Sequence, residues 1–168
     1  VDFSRYGIEG LDTSGYDFYH QLEEESYHGD LVTNIFAGGT VDSEWGFLSG
    51  YSQHDDFRRD TDSYVWYLRD QGYQTFFSHP GYSWFYNRDN VYRDLGVDER
   101  IFNETYTDAD KKGTMISDAA FLAHLTADLD TRLSTTEPLF AYTVTIQNHQ
   151  AYPYTKYGFE PEKPPLSV

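Results

Sequence analysis

Apolar and polar positions along this chain fall into blocks that switch between two periods. Residues 16–24 have helical spacing, with Phe18, Tyr19 and Leu22 toward one face and Ser14 placed as the cap. Residues 30–36 read as a strand and residues 42–48 as a short helix. A helix over 62–71 takes Thr61 or Asp62 as its cap and Gly72 as its stop. Residues 74–78 form a strand, 88–95 a short helix closed by Gly96, and 100–102 a short strand. The longest helix runs over 117–133, with Ala120, Phe121, Ala123, Leu125, Leu129 and Leu133 as its apolar side. Residues 139–146 are a nearly continuous apolar run, the pattern of a strand buried on both faces.

Strands alternating with helices predict an α/β fold, a mainly parallel sheet flanked by helices. In such sheets ligands sit beyond the carboxyl ends of the strands. The loops over 37–40, 79–88 and 147–154 follow three of these strands, and each carries an unusual polar cluster. Their coincidence points to a site.

Composition narrows the chemistry. The formal net charge is −16, which repels nucleic acid and anionic headgroups at long range, so an anionic substrate needs a local cation. Aromatic side chains (16 Tyr, 12 Phe, 3 Trp) make up for modest aliphatic content and suit a partly polar interior. The absence of cysteine rules out disulfides and thiolate metal sites. No apolar run approaches the ~20 residues of a membrane span. The chain opens on Val1, and its last residues, 156–168, are proline-rich and read as an irregular tail. We expect the central piece of a longer protein.

The first polar cluster is Gly38-Gly39-Thr40, a glycine turn between a strand and a helix. Its bland reading is a turn with Thr40 as N-cap. Its functional reading is a hydroxyl where backbone N–H groups and the helix macrodipole converge, sited to attack or hold a phosphate or sulfate. The second runs from His79 through Tyr82, Trp84, Phe85, Tyr86 and Asn87 to Arg88 and Asp89. Either Arg88 pairs with Asp89, or it forms a two-bond clamp on a phosphate walled by rings. The third is Asn148-His149, whose imidazole can contact a phosphoryl oxygen or protonate a leaving group. His20, His28, His54 and His124 have no such context.

Residues 30–50 (DLVTNIFAGGTVDSEWGFLSG), 72–96, 116–125 and 138–152 together resemble the lipoteichoic acid synthase-like branch of the sulfatase / alkaline phosphatase superfamily. The four segments agree in order and approximate spacing over most of residues 10–155. The resemblance implies a single partial sulfatase-like catalytic domain over 1–168. It assigns Thr40 as nucleophile and as a ligand of one catalytic divalent metal, manganese or magnesium. His79 falls on the family's loop histidine. The Trp-Asn-Arg triplet that frames the glycerophosphate appears as Tyr86-Asn87-Arg88, and the Asn-His that contacts phosphate falls on Asn148-His149.

The family's other metal ligands, a Glu upstream and an Asp-His pair downstream, have no counterpart here. Of the ligands the resemblance implies, Thr40 alone lies in the chain, so weak or no binding of the metal is expected for the segment by itself. The implied activity is transfer of a phosphoglycerol-type group from an anionic phospholipid to a polymer or glycan hydroxyl. The implied place is the outer face of a bacterial cell membrane, with the protein anchored by segments absent here. A sulfate or phosphate ester hydrolase on the same scaffold is the nearest alternative. A noncatalytic glycan-binding module built on Tyr and Trp is the other.

Overall fold

The structure is a computed structural model that describes residues 7, 9, 10, 12–29, 39–51, 60–147 and 149. The strand expected over 30–36, and the tail over 156–168, lie outside the described residues. Backbone contacts divide the chain into two units, one of Val1–Thr33 with Glu160–Val168 and one of Asn34–Phe159.

In the first unit a single turn of 3-10 helix, Ser14–Tyr16, leads into helix α1, Asp17–Glu25. The helix is where its spacing predicted. Ser14 does not cap it: the residue lies in the preceding turn, and Tyr16 occupies the cap position without a side-chain bond. Phe18, Tyr19 and Leu22 are exposed.

The second unit is built on a three-stranded parallel sheet of β1 (Gln74–Ser78), β2 (Glu99–Ile101) and β5 (Leu139–Thr143), in the order β2-β1-β5. Phe77 of β1 pairs with Arg100 on one side and Tyr142 on the other. Successive side chains of a strand point to opposite faces, so β1 feeds two cores. Phe77 packs with Leu48, Val65, Val91, Tyr92, Leu95, Val97 and Phe102. That face is covered by α2 (Thr40–Ser49), α3 (Tyr64–Asp70) and α4 (Arg88–Asp94). Phe76 packs with Ile116, Phe121 and Leu125, beneath α5 (Asp118–Leu133). The short strands β3 (Lys111–Lys112) and β4 (Met115–Ile116) form an antiparallel ribbon that the apolar pattern did not reveal.

Caps set the helix boundaries. The cap of α3 is Ser63, not Thr61 or Asp62; its hydroxyl accepts from the N–H groups of Val65 and Trp66 at 3.1 and 3.2 Å. Ser117 caps α5 by accepting from Ala120 N–H. Gly96 follows α4 at φ +96°, and a Cβ there would meet the Trp66 ring at 2.8 Å, so only glycine lets α3 and the end of α4 close together. On α5 the predicted apolar side shortens to Phe121, Leu125 and Leu129 with Ala120; Leu133, at the last turn, is exposed.

The apolar run over 139–146 differs from expectation. Only Leu139–Thr143 is strand, none of it is fully buried, and Ala141 is exposed. Among the described residues β5 pairs on one side only. Val144 and Ile146 leave the strand, and their side chains line a cavity.

Candidate active site

The predicted loops meet at one cavity of about 690 Å³, lined by residues of α2, of the loop after β1, of the start of α4 and of the segment after β5. Thr40, His79, Tyr86, Arg88 and His149 all line it. Asn87 lies on the same loop but does not line it, and Asn148 lies outside the described residues.

Helix α2 begins at Thr40 itself rather than at Asp42, and Gly39 is the cap residue. Thr40 is therefore the first helical residue and not an N-cap. The turn is closed by Ser43, whose N–H and hydroxyl both donate to Gly39 O, at 3.0 and 2.9 Å. Thr40 is left exposed at the positive end of a ten-residue helix, with Asp42 beside it in the first turn.

His79 follows β1 and is buried, 4% exposed. Its Nδ1 lies 2.9 Å from Val144 O, and a carbonyl can only accept, so Nδ1 carries the hydrogen and Nε2 the lone pair. Burial, with the Arg88 charge nearby, pushes the ring's pKa down to about 4. At neutral pH this imidazole accepts a hydrogen bond at Nε2 and does not donate one there. A Cβ at position 81 would fall on that nitrogen, so Gly81 is what leaves room for the ring.

Arg88 does not pair with Asp89, which is taken by Arg100 Nε at 2.8 Å. Its Nη2 donates to Glu44 Oε1 at 2.8 Å, and both side chains are about 95% buried or more. The other oxygen of Glu44 accepts from the Tyr92 hydroxyl at 2.6 Å. Burial lifts the Glu44 carboxyl above its ordinary value, with Arg88 and Tyr92 pulling it back. Burial and the neighbouring carboxylate raise the Tyr92 phenol as well, so it stays a donor. The Tyr92 ring is stacked on Phe77 with centroids 3.6 Å apart, which ties the group to the central strand. Just before Arg88 the backbone turns left-handed at Tyr86 (φ +56°) and Asn87 (φ +53°). A bulky aromatic residue seldom adopts that conformation. The Asn87 side chain is occupied locally, accepting from Asn90 Nδ2 at 2.6 Å.

His149 is exposed at the rim, its N–H bonded to Ile146 O. Thr40 and His149 thus face one cavity rather than opposite sides of the unit. Glu44 and Tyr92 were not singled out from sequence. The available signal was spacing: Thr40 and Glu44, like Arg88 and Tyr92, stand at i, i+4 and share a helix face.

The unit is a parallel α/β fold with a hydroxyl at a helix start, a buried arginine and two histidines around one cavity. The sequence pattern of the sulfatase family matches residues 4–165, and the chain belongs to that family. It is 27% identical over 140 residues to a putative cyclic beta-1,2-glucan modification protein of Rhizobium meliloti, spanning 77% of this chain and 21% of that one. It is 28% identical over 144 residues to lipoteichoic acid synthase of Staphylococcus aureus, spanning 79% and 21%. The chain therefore spans about a fifth of the length of these relatives.

Among solved structures the fold is similar to that of lipoteichoic acid synthase LtaP from Listeria monocytogenes, with a TM-score of 0.62 and 21% identity over 70% of this chain and 30% of that one. It is similar too to a Vibrio parahaemolyticus protein of the alkaline phosphatase superfamily, with a TM-score of 0.59, 20% identity and 68% and 31% coverage. The fold is thus the alkaline phosphatase fold, as the resemblance implied.

The superfamily is generally metal-dependent. Among the described residues no group of three or more His, Asp or Glu side chains comes together to hold an ion. The cavity's own donors are Thr40, Asp42, His79 and His149, and Arg88 adds a positive charge beside them. These residues alone do not make up a divalent site, and the chemistry below is derived from the chain's own groups.

Proposed function

We propose that this chain is the central part of a phosphoglycerol-type transferase that works through a covalent threonine intermediate. The observation that carries the reading is that Thr40, His79, Arg88 and His149 line one cavity, with Thr40 exposed at the start of α2. The Thr40 oxygen attacks the phosphorus of an anionic phospholipid such as phosphatidylglycerol. The Thr40 hydroxyl releases its proton to solvent as the bond from Oγ1 to phosphorus forms and the bond to the diacylglycerol oxygen breaks; His149 supplies the leaving oxygen with a proton and regains one from the acceptor hydroxyl in the second step. An acceptor hydroxyl then takes the phosphoglycerol group and returns Thr40 to its free form. Arg88 holds nonbridging oxygens. His79, neutral with its lone pair at Nε2, receives a hydroxyl of the donor or acceptor. Tyr86, its ring 5.8 Å from the Arg88 guanidinium, forms the aromatic wall, with Asn148 as a further substrate contact; Asn87, bonded to Asn90 and off the cavity wall, is left out of the contact set.

Manganese or magnesium, held chiefly by residues outside this chain, would lower the pKa of the Thr40 hydroxyl. The acceptor is a glycerophosphate polymer or a glycan, and the surrounding protein is anchored at the outer face of a bacterial membrane. Among the described residues no helix is long and apolar enough to cross a membrane, so the anchor is assigned to other segments. Exposure of Thr40 favours one second reading, in which water is the acceptor and the protein hydrolyses a phosphate or sulfate ester.

The test uses the full-length protein and a fluorescent phosphatidylglycerol. Mass spectrometry of the trapped enzyme is expected to find phosphoglycerol on Thr40, and Thr40→Ala to lower turnover roughly a thousandfold or more. An adduct on another residue, or near-normal turnover by Thr40→Ala, overturns the reading. Free glycerophosphate as the sole product selects the hydrolase.

A further inference from the structure

We infer that Glu44 is a positioning residue which, braced by Tyr92, holds the Arg88 guanidinium at the cavity wall for an anionic oxygen. This rests on the proposal that the cavity receives a phosphate ester. A guanidinium has five N–H donors and no acceptor. A purely structural arginine buried to this depth ordinarily has its donors paired on both edges, because an unmet buried donor is costly. Here Glu44 takes Nη2, while the buried Nε has no partner among the described residues, and Arg88 lines the cavity. The arginine is fastened at Nη2 and unmet at Nε.

The fastening is built in depth. Glu44 sits one helical turn after Thr40 on α2, and Tyr92 one turn after Arg88 on α4. One carboxylate therefore joins the helix that begins at Thr40 to the helix that begins at Arg88, with 2.8 and 2.6 Å contacts. The Tyr92 ring, stacked on Phe77 of β1, references both helices to the central strand. The distance between the attacking hydroxyl and the anion clamp is set through Glu44. Neither Glu44 nor Tyr92 lines the cavity, so neither touches substrate.

The experiment compares Glu44→Gln and Tyr92→Phe with the wild type as full-length proteins. Leu125→Ala, in the core on the other face of the sheet, serves as a destabilised control. Three quantities are read for each: melting temperature, calorimetric affinity for inorganic phosphate, and KM and kcat on fluorescent phosphatidylglycerol. We expect Glu44→Gln to weaken phosphate binding and raise KM roughly tenfold, and Tyr92→Phe roughly threefold in the same direction, in protein that is folded at the assay temperature. In an Arg88→Lys background, Glu44→Gln should cost nothing further, because the group it positions is already altered.

If both variants only lower the melting temperature and keep wild-type KM and phosphate affinity, as Leu125→Ala does, the inference is overturned. Should Glu44→Gln not fold, Tyr92→Phe decides alone, since it keeps the stacked ring and removes a single hydroxyl. A wild type that binds no phosphate and turns over no phospholipid overturns the cavity reading and this inference together. A wild type that does both, with indifferent variants, overturns this inference alone.

Discussion

The cavity has a fixed half and an open half. His79 and Arg88 are 4% exposed and tied down, one by the Val144 carbonyl and the other by Glu44, Tyr92 and, through Tyr92, the central strand. Thr40 and His149 are exposed at the rim, on a helix start and on the segment after β5. The residues assigned to holding the anion are thus part of the core, and the residues assigned to making and breaking bonds are not. A clamp gains from rigidity, because its donors then need no reorganisation when charge develops. A nucleophile has to reach two different partners in turn, which a buried hydroxyl could not do. The two halves should therefore answer mutation in opposite ways, the fixed half through stability as well as binding, the open half through turnover alone.

The largest contrast is expected between Arg88→Ala and Thr40→Ala. Removing Arg88 leaves the Glu44 carboxylate buried without its cation, a loss of about 3–5 kcal/mol. Removing the exposed Thr40 hydroxyl should change stability by no more than ~0.5 kcal/mol. Urea melts of the two variants measure this directly, and equal losses would erase the distinction between the halves.

A second contrast lies in pH. The folded pKa of His79 is about 4 against an unfolded value of 6.5, so between those limits the unfolded chain binds the extra proton. Stability then rises with pH across that window, and falls as pH drops from about 6.5 toward 4, by up to about 1.4 kcal/mol per unit and of order 3 kcal/mol in all. Below pH 4 both states are protonated and the His79 contribution to the slope ends. His79→Gln should flatten this part of the profile relative to the wild type. Identical melts for wild type and His79→Gln at pH 4.5 and pH 7 would show that the ring is not held neutral.

The smallest expected effect is that of His149→Ala on the donor's KM. If the exposed ring acts on the leaving group, kcat should fall roughly 10- to 100-fold with KM within about twofold, and stability should be unchanged. A raised KM with unaltered kcat would move His149 to the binding half.

Much of this was legible in the sequence. Apolar spacing and turn residues together located α1, α2, α4, α5 and β1, although the face of α1 that the spacing marks is exposed. Strand–helix alternation pointed to the parallel sheet, and described residues of the three polar clusters line the cavity, two of them following β1 and β5. Boundaries were less legible where a neighbour decided them. Ser63 rather than Asp62 caps α3, and the run over 139–146 breaks after Thr143, although its composition continues unchanged.

What only the tertiary structure decided is the state of the charged groups. Asp89 stands next to Arg88 in the chain, but Glu44, 44 residues away, is its partner. Nothing in local spacing distinguishes those two carboxylates; burial does, because a charge taken out of water must find its counter-ion among whatever side chains the fold brings there. The same holds for His79, whose tautomer and low pKa come from a carbonyl 65 residues further on and from the dry surroundings of the sheet. Residue types and their periods are local properties and can be read from the chain, whereas dielectric environment and long-range pairing exist only once it is folded.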